Sequence, residues 1–86
     1  MKIKLEFVKR TVAGETFLVP IGETVKKYSG LFALNEVGSF LWERLGGAEG
    51  KEELIDAVTA EYDVAREDAE RDVSAFLDKL RDMEII

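Results

Sequence analysis

The first third of the chain alternates apolar and polar side chains, which is the periodicity of β-strands. Two alternating stretches flank the turn-forming triplet Ala13-Gly14-Glu15, with apolar positions at Ile3, Leu5 and Phe7 before it and at Phe17, Val19 and Ile21 after it. This arrangement predicts a β-hairpin. Pro20 has no N–H to donate to a neighbouring strand, so the second strand is expected to end there or to lie at a sheet edge.

Two further segments complete this part of the chain. Residues 22–29 have no regular pattern and are interpreted as a connection. The short segment 30–34 is apolar and composed of residues that are compatible with a strand. It therefore predicts a third strand.

From residue 35 onward the apolar spacing becomes that of α-helices. A first helix is predicted from Asn35, a favourable N-cap, to about residue 45, before Gly46-Gly47. Its apolar face is formed by Val37, Leu41 and Leu45. A second helix is predicted from Gly50 to about residue 62, and a third from about residue 66. The third helix has one apolar stripe, formed by Ala69, Val73, Phe76, Leu77, Leu80 and Met83.

These elements predict an α+β fold of the order βββααα, a three-stranded antiparallel sheet followed by a three-helix bundle, as in winged helix-turn-helix domains. A chain of 86 residues is long enough for one small domain, so residues 1–86 are expected to form a single unit. We expect Trp42 and Phe76 to lie at the rim or centre of the helical core and not to stack on a ligand, because their spacing places them with its apolar residues.

The composition removes several classes of function. The chain contains no His and no Cys, which excludes thiolate nucleophiles, disulfides, Cys-based metal sites and the commonest general base. The acidic run 66–72 lacks the ligand spacing of an EF-hand and is better explained as a solvated helix start. We therefore expect no catalytic residue, no metal and no cofactor. The N-terminus has no continuous apolar run, so neither a signal peptide nor a membrane anchor is predicted, and a cytoplasmic location is expected.

Charge is distributed unevenly along the chain. Residues 1–30 carry six basic and three acidic groups, a net charge of +3, whereas residues 31–86 carry six basic and fifteen acidic groups, a net charge of −9. A winged-helix protein that binds DNA needs Lys and Arg to neutralise phosphates. The predicted third helix instead carries mostly acidic groups, which would repel a nucleic acid. We therefore expect a different kind of partner.

The predicted third strand indicates how such a partner binds. If segment 30–34 lies at a sheet edge, its unpaired N–H and C=O groups are able to bind an extended peptide as an additional strand. The pattern alone leaves this open, since it is equally compatible with a buried strand on which nothing docks.

Residues 30–45, with the sequence GLFALNEVGSFLWERL, resemble the PqqD family, as do Glu52-Glu53-Leu54, Tyr62-Asp63-Val64 and the segment DVSAFL at 72–77. That family includes the small protein of pyrroloquinoline quinone biosynthesis and the related recognition elements for precursors of ribosomally made, modified peptides. The combination of Leu-Asn-Glu-x-Gly-x-x-x-Trp with a downstream Asp-Val-x-x-Phe-Leu carries the resemblance, which covers nearly the whole chain.

The resemblance implies a non-catalytic domain that binds the leader segment of a precursor peptide as an added strand, between the third strand and the third helix. Such a domain presents the peptide to a modifying enzyme, often a radical SAM protein. The positions that match the family's binding groove are Gly30, Leu31, Phe32, Ala33, Leu34, Asp68, Asp72, Ala75, Phe76 and Lys79. The chain departs from its relatives at Ala65, where the third helix has no polar N-cap, and in residues 22–29, which do not match residue by residue.

Two functions from different classes follow. The first is a peptide-binding chaperone, whose partners are a precursor peptide and a radical SAM or other maturation enzyme, with neither nucleic acid nor a membrane among them. The second is a non-catalytic winged-helix regulator or structural adaptor that does not bind peptides.

Overall fold

The fold is an antiparallel sheet packed against three helices. The structure, a computed structural model, describes residues 1–28 and 30–86. Its elements in chain order are β1 (Phe7–Val12), β2 (Glu15–Pro20), a short 3₁₀ helix (Gly22–Lys26), β3 (Phe32–Leu34), α1 (Glu36–Leu45), α2 (Lys51–Glu61) and α3 (Arg66–Asp82). The strand order is β1-β2-β3, and both strand pairs are antiparallel. The predicted α+β class and the order βββααα are confirmed.

A two-residue turn closes the predicted hairpin. Ala13 and Gly14 have positive φ angles of 53° and 81°, as a type I′ turn requires. Glycine adopts this conformation without strain, whereas the side chain of Ala13 is disfavoured in it. Val12 lies opposite Glu15 in the register that follows from this turn. The turn thereby determines which residues of the two strands face each other.

β1 begins at Phe7, although the alternating pattern starts at Ile3. The N–H of Lys4 donates to the carbonyl oxygen of Ile85 over 2.6 Å, so the chain at Lys4 lies beside the C-terminal residues, whereas the carbonyl oxygen of Glu6 accepts from the N–H of Ile21, just after β2. Ile3 and Leu5 still bury part of their side chains against the helical core. The alternation correctly indicates a half-buried extended segment, but it does not identify the neighbour that pairs with it.

β3 begins at Phe32, two residues later than predicted. Phe32 lies opposite Leu18, and continuing this register would place residue 30 opposite Pro20. Pairing stops before that point because Pro20 has no N–H to donate. The preceding connection contains the 3₁₀ helix, where the sequence predicted only irregular structure. Ser29, at the end of that predicted connection, lies outside the described residues.

The core lies between the sheet and the helices. Leu18 and Leu34 are buried on the helix-facing side of the sheet. The main buried cluster is formed by Leu41, Leu45, Ala48, Leu54, Ile55, Val58, Ala69, Val73, Leu77, Leu80 and Ile85. Trp42 lies at the margin of this core, as predicted, with its ring edge against Phe7 at 6.1 Å between centroids. Four residues of the predicted stripe on α3 are thus fully buried, and Phe76 and Met83 are half-buried at its edge.

The first turn of α1 fits closely against its neighbours. The Gly38 N–H donates to Oδ1 of Asn35 over 2.7 Å, which confirms the predicted N-cap. A Cβ atom added to Gly38 would lie 3.5 Å from Leu34 Cδ2 and 3.6 Å from Phe76 Cε1. Gly38 therefore lies where α1 meets both β3 and α3. α3 begins after Ala65 with no side-chain cap, as the sequence indicated.

Candidate functional site

β3 forms one edge of the sheet within the described residues, and the register determines which of its backbone groups point outward. The type I′ turn is closed by a hydrogen bond between its first and fourth residues, Val12 and Glu15. Hydrogen-bonded pairs alternate along an antiparallel ladder. Positions 16 and 18 of β2 therefore bond to Leu34 and Phe32 of β3. Ala33 lies between these two residues, so its N–H and C=O point to the open edge.

A groove lies beside this open edge, between β3, the first turns of α1, and α3. Its volume is about 280 Å³. Leu34 and Leu41 are buried beneath it, and Phe76 is half-buried at its side. The residues that line the groove are Phe32, Ala33, Leu34, Asn35, Val37, Gly38, Leu41, Asp72, Ala75, Phe76 and Lys79. The lining is therefore mostly apolar, with one acidic and one basic group at its rim.

β3 and the facing part of α3 run in opposite directions. Lys79 Nζ lies 4.7 Å from the centroid of the Phe32 ring. One turn earlier on α3, Phe76 lies next to Gly38 of α1, and Leu34 of β3 lies next to the same glycine. Asp72, one further turn earlier, therefore lies beyond the Leu34 end of the groove. The direction from Phe32 to Leu34 in β3 is therefore the direction from Lys79 to Asp72 in α3.

The two ends of the groove carry opposite charge. Lys79 lies over the aromatic face of Phe32, a cation–π contact that holds its charge at that end. Asp72 is exposed at the other end. Among residues 1–28 and 30–86, neither Lys79 nor Asp72 takes part in an ion pair. Both charges are thus available to a ligand.

A larger open cleft, of about 920 Å³, adjoins the groove between the hairpin and α1. It shares Ala33, Leu34 and Asn35 with the groove. Inside it, Phe40 and Tyr62 pack edge to face at 5.3 Å between ring centroids. Burial of the Tyr62 hydroxyl raises its pKa, and the nearby Glu36 carboxylate adds to that rise. Glu36 lies in this cleft together with Arg44, whose guanidinium lies 3.6 Å from the centroid of the Phe40 ring.

The structure brings together most of the residues that the resemblance indicated. Seven of them line the groove: Phe32, Ala33, Leu34, Asp72, Ala75, Phe76 and Lys79. Gly30 and Leu31 instead line a neighbouring pocket of about 320 Å³ with Tyr28 and Met83. Asp68 is not part of the groove, and its carboxylate forms an ion pair with Arg71 at 2.7 Å.

Four lining residues were not predicted: Asn35, Val37, Gly38 and Leu41. Sequence reasoning assigned them to capping and packing of α1. The signal that pointed to them was Gly38 next to the apolar face of a helix, because a glycine there permits the close approach of another backbone. In the structure the near neighbours of Gly38 are side chains, among them those of Leu34 and Phe76, which line the groove beside it.

No helix in the part of the chain that the structure describes is long and apolar enough to cross a bilayer. Within residues 1–28 and 30–86, no group of three or more acidic side chains is placed to hold a metal ion.

Comparison with known proteins identifies two similarities. The model of the family described as coenzyme PQQ synthesis protein D (PqqD) matches residues 15–86. A solved structure described as TbiB1 in complex with the TbiA(beta) leader peptide is similar at a TM-score of 0.73 and 35% sequence identity, covering 99% of this chain and 93% of that one. No curated protein matches the chain.

Proposed function

The chain belongs to the PqqD family, and on this basis we propose that it binds the leader segment of a precursor peptide as an added strand on the open edge of β3. The observation that carries the proposal is the outward direction of the Ala33 N–H and C=O beside the groove. In this mode, main-chain hydrogen bonds supply affinity that depends little on sequence, while alternate side chains enter the groove and supply selectivity.

TbiB1 supports the proposal. That protein is seen in complex with a leader peptide, and its fold resembles this one over 99% of the chain. The groove of this chain has the open strand edge and the apolar lining that a similar complex requires. Antiparallel docking would place peptide side chains against Ala75 and Phe76, which form the wall contributed by α3.

We further propose that residues 1–86 act as one peptide-recognition domain and that chemistry is left to a separate maturation enzyme, a radical SAM protein or another maturase. The composition supports this division, because a chain without His or Cys lacks the side chains that most often act as general base and as thiolate nucleophile. The competing function is that of a winged-helix regulator or structural adaptor without peptide binding.

Titration with leader peptides, monitored through backbone amide shifts, separates these functions. The leader of TbiA(beta) is the first probe, followed by leaders of candidate precursors. We expect shifts in residues 31–34 and along α3 from Asp72 to Lys79. Shifts confined to the hairpin turn would place the site elsewhere, and the absence of shifts with every leader would favour the adaptor.

A pair of proline variants tests the strand edge directly. Ala33→Pro removes the N–H that points to the open edge, so peptide binding should weaken at least tenfold. The matched control is Thr11→Pro, because the alternation of the ladder directs the N–H of Thr11 outward at the opposite edge, on β1. Equal loss of binding in both variants would contradict docking on β3.

A further inference from the structure

We propose that the groove selects leader peptides in which a basic residue precedes an acidic residue by two or four positions along the docked strand. The inference rests on the proposed function, since it concerns the same site. It specifies the order of charges in the peptide, which neither the family nor the TbiB1 complex assigns to this chain.

The direction of the peptide follows from antiparallel pairing with β3. A strand that runs antiparallel to β3 passes Leu34 first and Phe32 last. Its upstream residues therefore lie near Asp72, and its downstream residues lie near Lys79. The adjoining cleft contains both Glu36 and Arg44, so the negative charge at the upstream end is carried by Asp72. A basic upstream residue and an acidic downstream residue complement these charges.

The spacing follows from the two backbone geometries. Asp72 and Lys79 are seven residues apart on α3, which corresponds to about 10.5 Å along the helix axis at 1.5 Å per residue. An extended strand covers this distance in about three residues. Because only alternate residues face the helix, the two peptide charges lie two or four positions apart.

Both protein charges are suited to this role. Lys79 and Asp72 make no ion pair among the described residues, so a peptide has no internal partner to displace. The contact of Lys79 with the Phe32 ring keeps the ammonium at the mouth of the groove. Each exposed pair is expected to change affinity about two- to fivefold, so reversing both peptide charges should weaken binding up to about twentyfold.

The test is a selection from a displayed library of random 12-residue peptides on the immobilised 86-residue chain. Enriched sequences should carry Lys or Arg upstream of Asp or Glu more often than the reverse order. The best peptide and an isomer with its two charges exchanged are then synthesised. Their Kd values should differ about four- to twentyfold at low salt, and the difference should shrink at high salt.

Two charge-exchange variants identify the cause of any preference. Asp72→Lys combined with Lys79→Glu should reverse the preference between the isomers. Asp78→Lys combined with Arg81→Glu is the matched control, because that exposed ion pair lies on the same helix outside the groove and the net charge is again unchanged. The control should keep the wild-type preference.

The outcomes separate this inference from the proposed function. The inference is overturned if the enriched peptides show no preferred order of charges. It is also overturned if the double variant Asp72→Lys/Lys79→Glu keeps the wild-type preference. In both cases peptide binding, the proposed function, still stands. Enrichment of the opposite order overturns the inference too and indicates parallel docking. A library from which nothing is enriched counts against both the inference and the proposed function.

Discussion

We expect the substitution Gly38→Ala to weaken peptide binding without a large change in the free energy of unfolding. In the interior of a helix, alanine is favoured over glycine by about 1 kcal/mol. At this position the added Cβ would lie 3.1 Å from Asn35 Oδ1, the atom that accepts the capping hydrogen bond from the Gly38 N–H. Disturbing an N-cap costs about 1 kcal/mol. The two effects offset each other, so the free energy of unfolding should change little.

The same methyl group should weaken peptide binding. It would project between Leu34 and Phe76, at 3.5 and 3.6 Å from their nearest atoms, and these residues form the floor and side of the groove. Both distances are ordinary van der Waals contacts, so Leu34 and Phe76 need not move. The methyl would instead occupy groove space that a peptide side chain fills, and losing the burial of one CH₂ group costs about 0.8 kcal/mol, a rise in Kd of about fourfold. Gly38→Ala is therefore expected to bind peptide poorly while it remains folded.

Gly46→Ala is the matched control at the other end of α1. Gly46 has φ −64° and ψ −31°, and an added Cβ would meet only Ile3 Cδ1 at 4.0 Å. This variant should be more stable than the wild type by about 0.4 to 1 kcal/mol, with unchanged peptide affinity. Urea unfolding followed by the fluorescence of Trp42, and calorimetric titration with the selected peptide, measure both quantities. If Gly38→Ala stabilised the protein as much as Gly46→Ala and bound peptide normally, the close packing described for Gly38 would be refuted.

Two further predictions concern stability. Trp42→Ala should lower the free energy of unfolding by about 2 to 4 kcal/mol, because it removes a half-buried ring that packs edge to face on Phe7; unchanged stability in urea with lost peptide binding would instead place Trp42 in the binding interface. The hydrogen bond from Lys27 lowers the pKa of Glu84, so this pair stabilises the fold above the unfolded-state pKa of Glu84, and its contribution is lost as the pH falls through the lowered value. Thermal unfolding of Glu84→Gln should therefore show a lower Tm than the wild type at about pH 7 and an equal Tm at about pH 2, and a difference that persists in acid would contradict the assignment.

The sequence by itself determined the type and order of the elements. Period-two apolar residues, the Ala13-Gly14 turn, the Asn35 cap and the stripe on α3 are local signals, since they depend on how neighbouring residues repeat along one element. The turn, the cap and the stripe were found where the sequence placed them, whereas β1 begins only at Phe7, after the start of the period-two pattern at Ile3. The groove residues on α3 were within reach of the same reasoning once the resemblance was recognised, because Asp72, Ala75, Phe76 and Lys79 share one helix face.

Only the tertiary structure decided how far the groove extends and what forms its floor. Pro20 lies on the neighbouring strand β2 and has no N–H to donate to residue 30, so β3 begins only at Phe32. Gly30 and Leu31 therefore lie outside the groove. Asp68 shares its helix face with Asp72, yet it lies beyond the end of this three-residue strand and pairs with Arg71.

The direction of the Ala33 N–H and the closeness of Gly38 to Phe76 likewise came only from the fold. These features depend on contacts between elements that are distant in sequence. Residue periodicity shows which face of an element is apolar, but not which neighbour covers it.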